Sequence, residues 1–417
     1  MHEQLKPQPG RLDRDAAAHL WRRAGFGAPS ALVENTMKLS PVEAARLAVR
    51  GPKRDVVAEE MESIYAIVRG SGSLDTIRGW LIRRMMSCEH QLREKMGLFW
   101  HGHFATSVRK VTDLDWMCRQ YRLFLDLGLG RFPVLLDAVT RDPAMIRWLD
   151  NETNRKGSPN ENFGRELFEL FTLGDGNYTE KDIQEAGRAF TGWHILHGKF
   201  HFSAGLHDAG EKTVLGTTGN LRGEDVLKLA LAQDACGRFL AGKLLRFFVE
   251  PAPSAELEAA LGAEMKRNGY DVSATLELMF ASKAFYAPSA RRSLVKSPLE
   301  FVVGSTRMLE TNVSPKELLG AFGAMGQELL APPNVKGWPG GRTWINTATW
   351  LARINAAHRI TREFESQRSG ADACRYFGRA LLGREPDARA QKAIVQSGVG
   401  TKDIVHALLA LPESHLN

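Results

Sequence analysis

The chain has 417 residues, with 43% hydrophobic and 25% charged side chains and a formal charge of +7; these are the proportions of an ordinary globular protein and exclude disordered, fibrous and low-complexity classes. Its length exceeds the roughly 250–300 residues at which a single core stops growing, so one large domain with a smaller appendage is expected. Basic and acidic residues are interleaved without a basic block, which argues against a nucleic-acid partner, and no run reaches the ~18 apolar residues of a membrane span.

The opening MHEQLKPQPGRLDRD lacks the apolar core of a signal peptide, so a cytoplasmic location is expected, with export as the passenger of a partner still open. Cys88, Cys118, Cys236 and Cys374 form no CxxC pair and read as isolated buried thiols. From Arg14 to about Val68 the pattern is short amphipathic helices. Asp13 to Ala18 opens one, and Ser40, Pro41 and Glu43 supply the N-cap, first-position proline and capping carboxylate of another. Residues 75 to 100 read as a longer helical run that stops at the small, polar segment His101 to Ser107, and a helical pair follows over 113 to 149.

The densest polar segment comes next. Ser158 reads as an N-cap, Pro159 as the first helical residue, Glu161 as the capping partner and Gly174 as the left-handed stop, predicting a helix from Pro159 to Leu173. Phe163, Leu167, Leu170 and Phe171 would face the core, leaving Asn162, Arg165, Glu166 and Glu169 as a polar stripe. A helix over Glu180 to Thr191 ends at Gly192-Trp193-His194. Residues 194 to 218 then lose helical period, and a small irregular or β insertion is expected there. Helix resumes afterwards, as a hairpin over 243 to 286 and a fainter echo over 378 to 415 with the same order of helix end, Pro turn, helix, Gly turn and closing helix. Between them, residues 329 to 355 form a loop rich in Pro, Gly, Trp and Asn leading into a helix, the kind of connection that carries binding residues on a rigid scaffold. The fold class is therefore all-α, stacked helical hairpins with a small insertion, divided into a main domain over 1–360 and a helical appendage over 361–417.

Several of these segments, in order, resemble the signature blocks of the domain of unknown function 1800 family: LWRRAGFGA, LFWHGHFATS, NRKGSPNENFGRELFELFTLGDGNYTEKD, FTGW, the His207-Asp208 pair and PPNVKGWPGGRTWIN. The resemblance runs from about Ala17 to Asn355. It implies bacterial relatives, often secreted, frequently encoded beside a protein that resembles phosphatases and sulfatases and carries an export signal. The expected partner is that neighbour.

Three constellations stand out as chemistry. His101 and His103, if extended, would present both imidazoles on one side, and with Glu166, Glu169, His207 and Asp208 would supply a mixed nitrogen and oxygen shell for a divalent metal or a general acid and base. The same residues also read as salt bridges and helix caps. Second, a carboxylate pair drawn from Glu161, Glu166, Glu169 and Asp208, with Trp193, Trp338 and Trp344 as stacking platforms, would suit a glycosidase, although core tryptophans are commoner. Third, Asn154, Asn160, Asn162, Arg165, Asn334, Asn346, Lys336 and Arg342 are placed to bind a polar or anionic ligand or simply to fasten turns. No phosphate loop, nucleophile elbow or dinucleotide fingerprint is present. The expectation is a metal-assisted enzyme acting on a polar or cell-envelope polymer, its catalytic groups Glu166, Glu169, His207 and Asp208, or alternatively a non-catalytic companion of the phosphatase-like neighbour.

Overall fold

Asp13 opens the helix Arg14–Ala24 by accepting a hydrogen bond from the Ala16 N–H, and Ser40 and Glu43 close the expected capping box at the head of Pro41–Arg50. Local signals of this kind, repeated along the chain, build a stack of helical hairpins. The computed structural model describes residues 2–397 and 400–417, and its architecture is all-α with two small β-hairpins. No helix among the described residues is long and apolar enough to cross a membrane.

The insertion sits where the helical period is lost. Strands β1 (Trp193–Leu196) and β2 (Lys199–Phe202) pair antiparallel, as do β3 (Lys212–Val214) and β4 (Thr217–Gly219). Each hairpin turns on two residues at positive φ, His197-Gly198 and Leu215-Gly216, the backbone that matches the twist of the flanking strands in a two-residue connection.

One apolar core runs through the molecule, from Leu5 through Trp100, Phe132, Phe163 and Phe280 to Leu408. The 361–417 segment contributes Phe377, Leu381 and Ile404 to it. Its last residues pair with 294–296: the Lys296 N–H donates to His415 O and the Asn417 N–H to Leu294 O, both at 2.8 Å. The helices expected from the two echoes are Asp234–Phe248, Ala255–Arg267 and Val272–Ala281, then Gly370–Leu382, Ala388–Ser397 and Thr401–Leu409. The glycine turn expected at Gly398 lies outside the described residues. Helices Asp234–Phe248 and Ala255–Arg267 meet backbone to backbone, since a Cβ on Gly237 would lie 2.6 Å from Gly262 O. That contact fixes the face that the first of them turns toward the site. The four cysteines are buried and free.

Two local predictions need correction. The 75–100 run is two helices, Leu74–Ser87 and Gln91–His103, broken where the Glu89 and His90 N–H groups donate to Asp55 Oδ2. The helix expected from Pro159 begins at Asn162, and Glu161 makes no side-chain cap. Ser158 to Asn160 are held out of the helix because Asn154 Oδ1 accepts from the Asn160 N–H at 2.8 Å and Asn160 Oδ1 accepts from Asn162 N at 2.9 Å. The proline also biases Ser158 away from helical backbone. From Leu167 to Thr172 the helix widens to a π-turn, a feature that often marks functional positions, and it stops at Gly174, φ +75°, as expected.

Candidate functional site

The segment Leu98-Phe99-Trp100-His101-Gly102-His103 is the last two turns of Gln91–His103, not an extended strand. Two residues apart on a helix lie about 200° apart around the axis, so His101 and His103 leave on opposite sides. His101 packs against Tyr121 and Trp338, ring centroids 5.6 and 5.2 Å away, and its Nε2 accepts the Leu330 N–H at 3.0 Å. His103 packs against Phe104 and Phe239, and its Nε2 lies 3.1 Å from Phe171 O, which requires the proton there. Burial lowers both imidazoles to about 3, Lys243 adding to the effect at His103. Both rings are neutral structural latches, and the expectation that they share one side of a metal shell is corrected by the helix beneath them. Among the described residues no group of three or more His, Cys, Asp or Glu side chains is placed to share a metal ion.

The His101 latch holds the loop that carries Lys336, Trp338 and Arg342. Leu330 O also accepts from the Val108 N–H at 2.8 Å, and Gly337, φ +82°, lies so close to the helix end that a Cβ would sit 2.4 Å from Gly102 O. The loop thus rests on backbone contact, and side chains on either side of it overhang a cleft. The cleft encloses about 550 Å³, between the ends of Gln91–His103 and Asp234–Phe248, the 293–300 segment and residues 336–344. Its walls are Leu98, Phe99, Phe247, Trp338 and Trp344, and its cations Lys243, Arg246, Lys336 and Arg342. Arg246 is paired with Glu258 and Lys336 with Glu169, the latter at 3.3 Å. Lys243 and Arg342 have no carboxylate partner among the described residues. The one carboxylate in the lining, Glu300, is already bound to Lys95 Nζ at 2.6 Å.

Glu166 and Glu169 stand beside this cleft at the Lys336 side. Half-burial raises the Glu166 carboxyl, and Glu169 raises it further against the opposing charge of Lys336 and Arg165. That biases Glu166 toward holding its proton.

The other predicted residues go elsewhere. Arg165 donates to both oxygens of Glu180, at 2.9 and 2.8 Å, and lines, with Glu161, Asn160 and Asn162, a separate and shallower depression that also contains Asp150, Glu152 and Arg155. Asn154, fully buried, donates to Asn151 Oδ1 and Gly187 O, so it is a turn fastener, and Asn346 caps Thr347–Thr361. Asn334 Oδ1 accepts the Lys336 N–H within its own loop. Trp193 has no exposed surface and is packed by Phe190, Phe200 and the Arg141 guanidinium; it is a core residue and not a stacking platform. His207 Nδ1 lies 2.9 Å from Thr191 O. Asp208 is bound to Arg188 Nε at 2.7 Å, which lowers it to about 2. These two close the β insertion onto Glu180–Ala189 and share no partner with Glu166 or Glu169, so the expected four-residue catalytic group is not assembled.

Conversely, Phe99, Lys243, Arg246 and Phe247 belong to the cleft and were not singled out in the sequence. The signal was present: Phe239, Lys243 and Phe247 fall at four-residue steps with Arg246 beside them, one face of a helix.

A family model described as a protein of unknown function, DUF1800, matches residues 19–415. No curated protein and no solved structure matches the chain.

Proposed function

The chain belongs to the DUF1800 family, which supplies no activity, and from the cleft we propose that it binds an anionic, partly apolar small molecule or polymer end there as the substrate of an enzyme, with Glu166 as the proton-transfer group. The observation that carries this reading is the imbalance of the lining: four cations, two of them without a carboxylate partner among the described residues, face a cleft whose carboxylate, Glu300, is tied to a buried lysine. Several cations around one hollow favour an anion more than a lone surface cation would, and Lys243, the one that is half-buried, does so most. Trp338, Trp344, Phe99 and Phe247 supply the apolar walls for the remainder of the ligand. Glu166, raised by half-burial and by Glu169, is suited to exchange a proton with a base or leaving group. A cell-envelope polymer with acidic groups fits these terms, whereas the metal-assisted form of the reaction has no donor set among the described residues.

The test is calorimetric titration of the protein with phenyllactate and with its uncharged amide at low ionic strength. The acid is expected to bind at least about tenfold tighter than the amide, with the preference weakened by salt and by Arg342→Gln or Lys336→Gln. Equal affinity for acid and amide, or no binding of either, overturns the reading and turns attention to the companion role beside a phosphatase-like partner.

A further inference from the structure

Lys243 lies on the helix Asp234–Phe248, one turn from Phe239 on one side and from Phe247 on the other. The two phenyl rings meet the facing helix, Phe247 against Phe99 with centroids 5.1 Å apart and Phe239 against His103 at 6.2 Å. The ammonium between them lies 5.2 Å from the Phe239 ring centroid. No hydrogen bond or ion pair from Nζ to a protein acceptor is present among the described residues. The other sheltered lysines differ in this respect. Lys95 is bound to Glu300 at 2.6 Å and Gly25 O at 2.7 Å, and Lys296 to Ser414 O at 2.7 Å. The second lysine of the cleft, Lys336, is exposed and paired with Glu169. A half-buried amine with an aromatic surround, no counterion and a second cation one turn away is the environment that makes a lysine a nucleophile toward carbonyl carbon.

Resting on the reading of the cleft as an anion site, we propose that Lys243 is a carbonyl-reactive amine that forms an imine with an anionic aldehyde or ketone held in the cleft. The charged groups around it leave its ammonium without a counterion among the described residues. Arg246 on its own helix is tied to Glu258, His103 opposite is neutral, Arg342 and Lys336 come from the loop, and Glu300 is neutralised by Lys95. Burial first and Arg246 second lower the ammonium's affinity for its proton, which enlarges the share of free amine relative to an exposed lysine. The amine lone pair forms the C–N bond as the carbonyl π pair moves to oxygen. A proton passes from nitrogen to that oxygen to give the carbinolamine, and protonation and departure of the hydroxyl as water leaves the iminium. One water is released per imine, and no oxidant or reductant is consumed. The ligand's own carboxylate would be met by the other cations of the lining, Arg246, Arg342 and Lys336.

The experiment is reductive trapping on the full chain. Phenylpyruvate is added with cyanoborohydride, adducts are mapped by peptide mass spectrometry, and binding of phenyllactate, the same anion without the ketone, is measured in parallel. Lys243 is expected to be labelled at least about tenfold faster than any other lysine, phenyllactate to slow the labelling, and Lys243→Met and Lys243→Arg to abolish that adduct. Phenyllactate binding without selective labelling of Lys243 overturns the imine and leaves the anion site standing. Absence of both overturns the two together. Labelling spread over surface lysines, unchanged in Lys243→Arg, also refutes the proposal, and because the site map comes from the unaltered protein it does not depend on either variant folding.

Discussion

Replacing Gly337 by alanine is expected to open the cleft without unfolding the protein. The residue stands at φ +82°, and its added Cβ would lie 2.4 Å from Gly102 O, a backbone atom at the end of a packed helix. An L-residue in left-handed backbone costs roughly 1–2 kcal/mol, and forcing a methyl against an immobile neighbour costs about 1–3 kcal/mol more, so the contact as it stands loses roughly 2–5 kcal/mol. The loop has a cheaper response, which is to lift from Gly102 and release the Leu330 N–H from His101 and Trp338 from the His101 ring. Gly102→Ala is the matched control across the same contact. Its Cβ would meet nothing within 4 Å, and alanine in a helix is favoured over glycine by roughly 0.5–1 kcal/mol. Hydrogen exchange at the Leu330 and Val108 amides, with phenyllactate titration alongside, reads both variants. Gly337→Ala should exchange about tenfold or more faster and lose binding, and Gly102→Ala should keep its protection. Equal behaviour of the two would show that the glycine contact does not hold the loop.

Asp142 gives a pH prediction away from the cleft. It is nearly fully buried, caps Pro143–Trp148 through the Met145 N–H and accepts from Gln120 Nε2, and burial raises it from 3.8 to about 7. A carboxyl raised by folding contributes stability that is fully present below about pH 3.8 and is lost as pH rises through about 7, by as much as ~4 kcal/mol at the full shift. Urea unfolding from pH 5 to 9 should therefore show the wild type weakening while Asp142→Asn stays level; parallel curves would mean that the carboxyl does not titrate in this window. Lys243→Met should raise the stability of the free protein, by about 1 kcal/mol, because it keeps a long apolar side chain in place of a half-buried, unpaired cation. A clear loss of stability in the same assay would mean that the ammonium contributes to the fold and is not held ready for a ligand.

The elements legible in the sequence were those whose cause is local. Ser40-Pro41-x-Glu43, the left-handed stop at Gly174 and the loss of helical period after His194 each carry their reason within a few residues, and each is found where expected. The misreadings have a common origin in contacts that lie outside the local pattern. Ser158-Pro159-x-Glu161 has the composition of a helix start, but the Asn154 and Asp150 acceptors take the Asn160 donors and delay the helix by one turn. His101 and His103 read as a pair of ligands because an isolated HxH has no visible helix beneath it; the Leu330 N–H and Phe171 O that consume their ring nitrogens come from 229 and 68 residues away. Half of the cleft was visible as the KGWPGGR loop. The other half, Lys243 among phenylalanines, did not stand out because apolar spacing does not say which neighbours a lysine will lack.

That lack is where the functional argument lies. Elsewhere the fold gives its sheltered cations acceptors: Arg84 meets Glu94 and Glu62, Lys95 meets Glu300, Lys296 meets Ser414 O, and Arg23 meets the Phe248 and Ala290 carbonyls. Among the described residues Lys243, half-buried, has no acceptor for its ammonium, and Arg342 at the loop side of the same hollow has no carboxylate partner. An uncompensated charge at low dielectric costs free energy in the empty protein, and the cost is offset when an anion enters. The same geometry that makes the free cleft unfavourable therefore makes occupancy favourable, and it ties selectivity to charge first, to the aromatic walls second and, through Lys243, to the presence of a carbonyl.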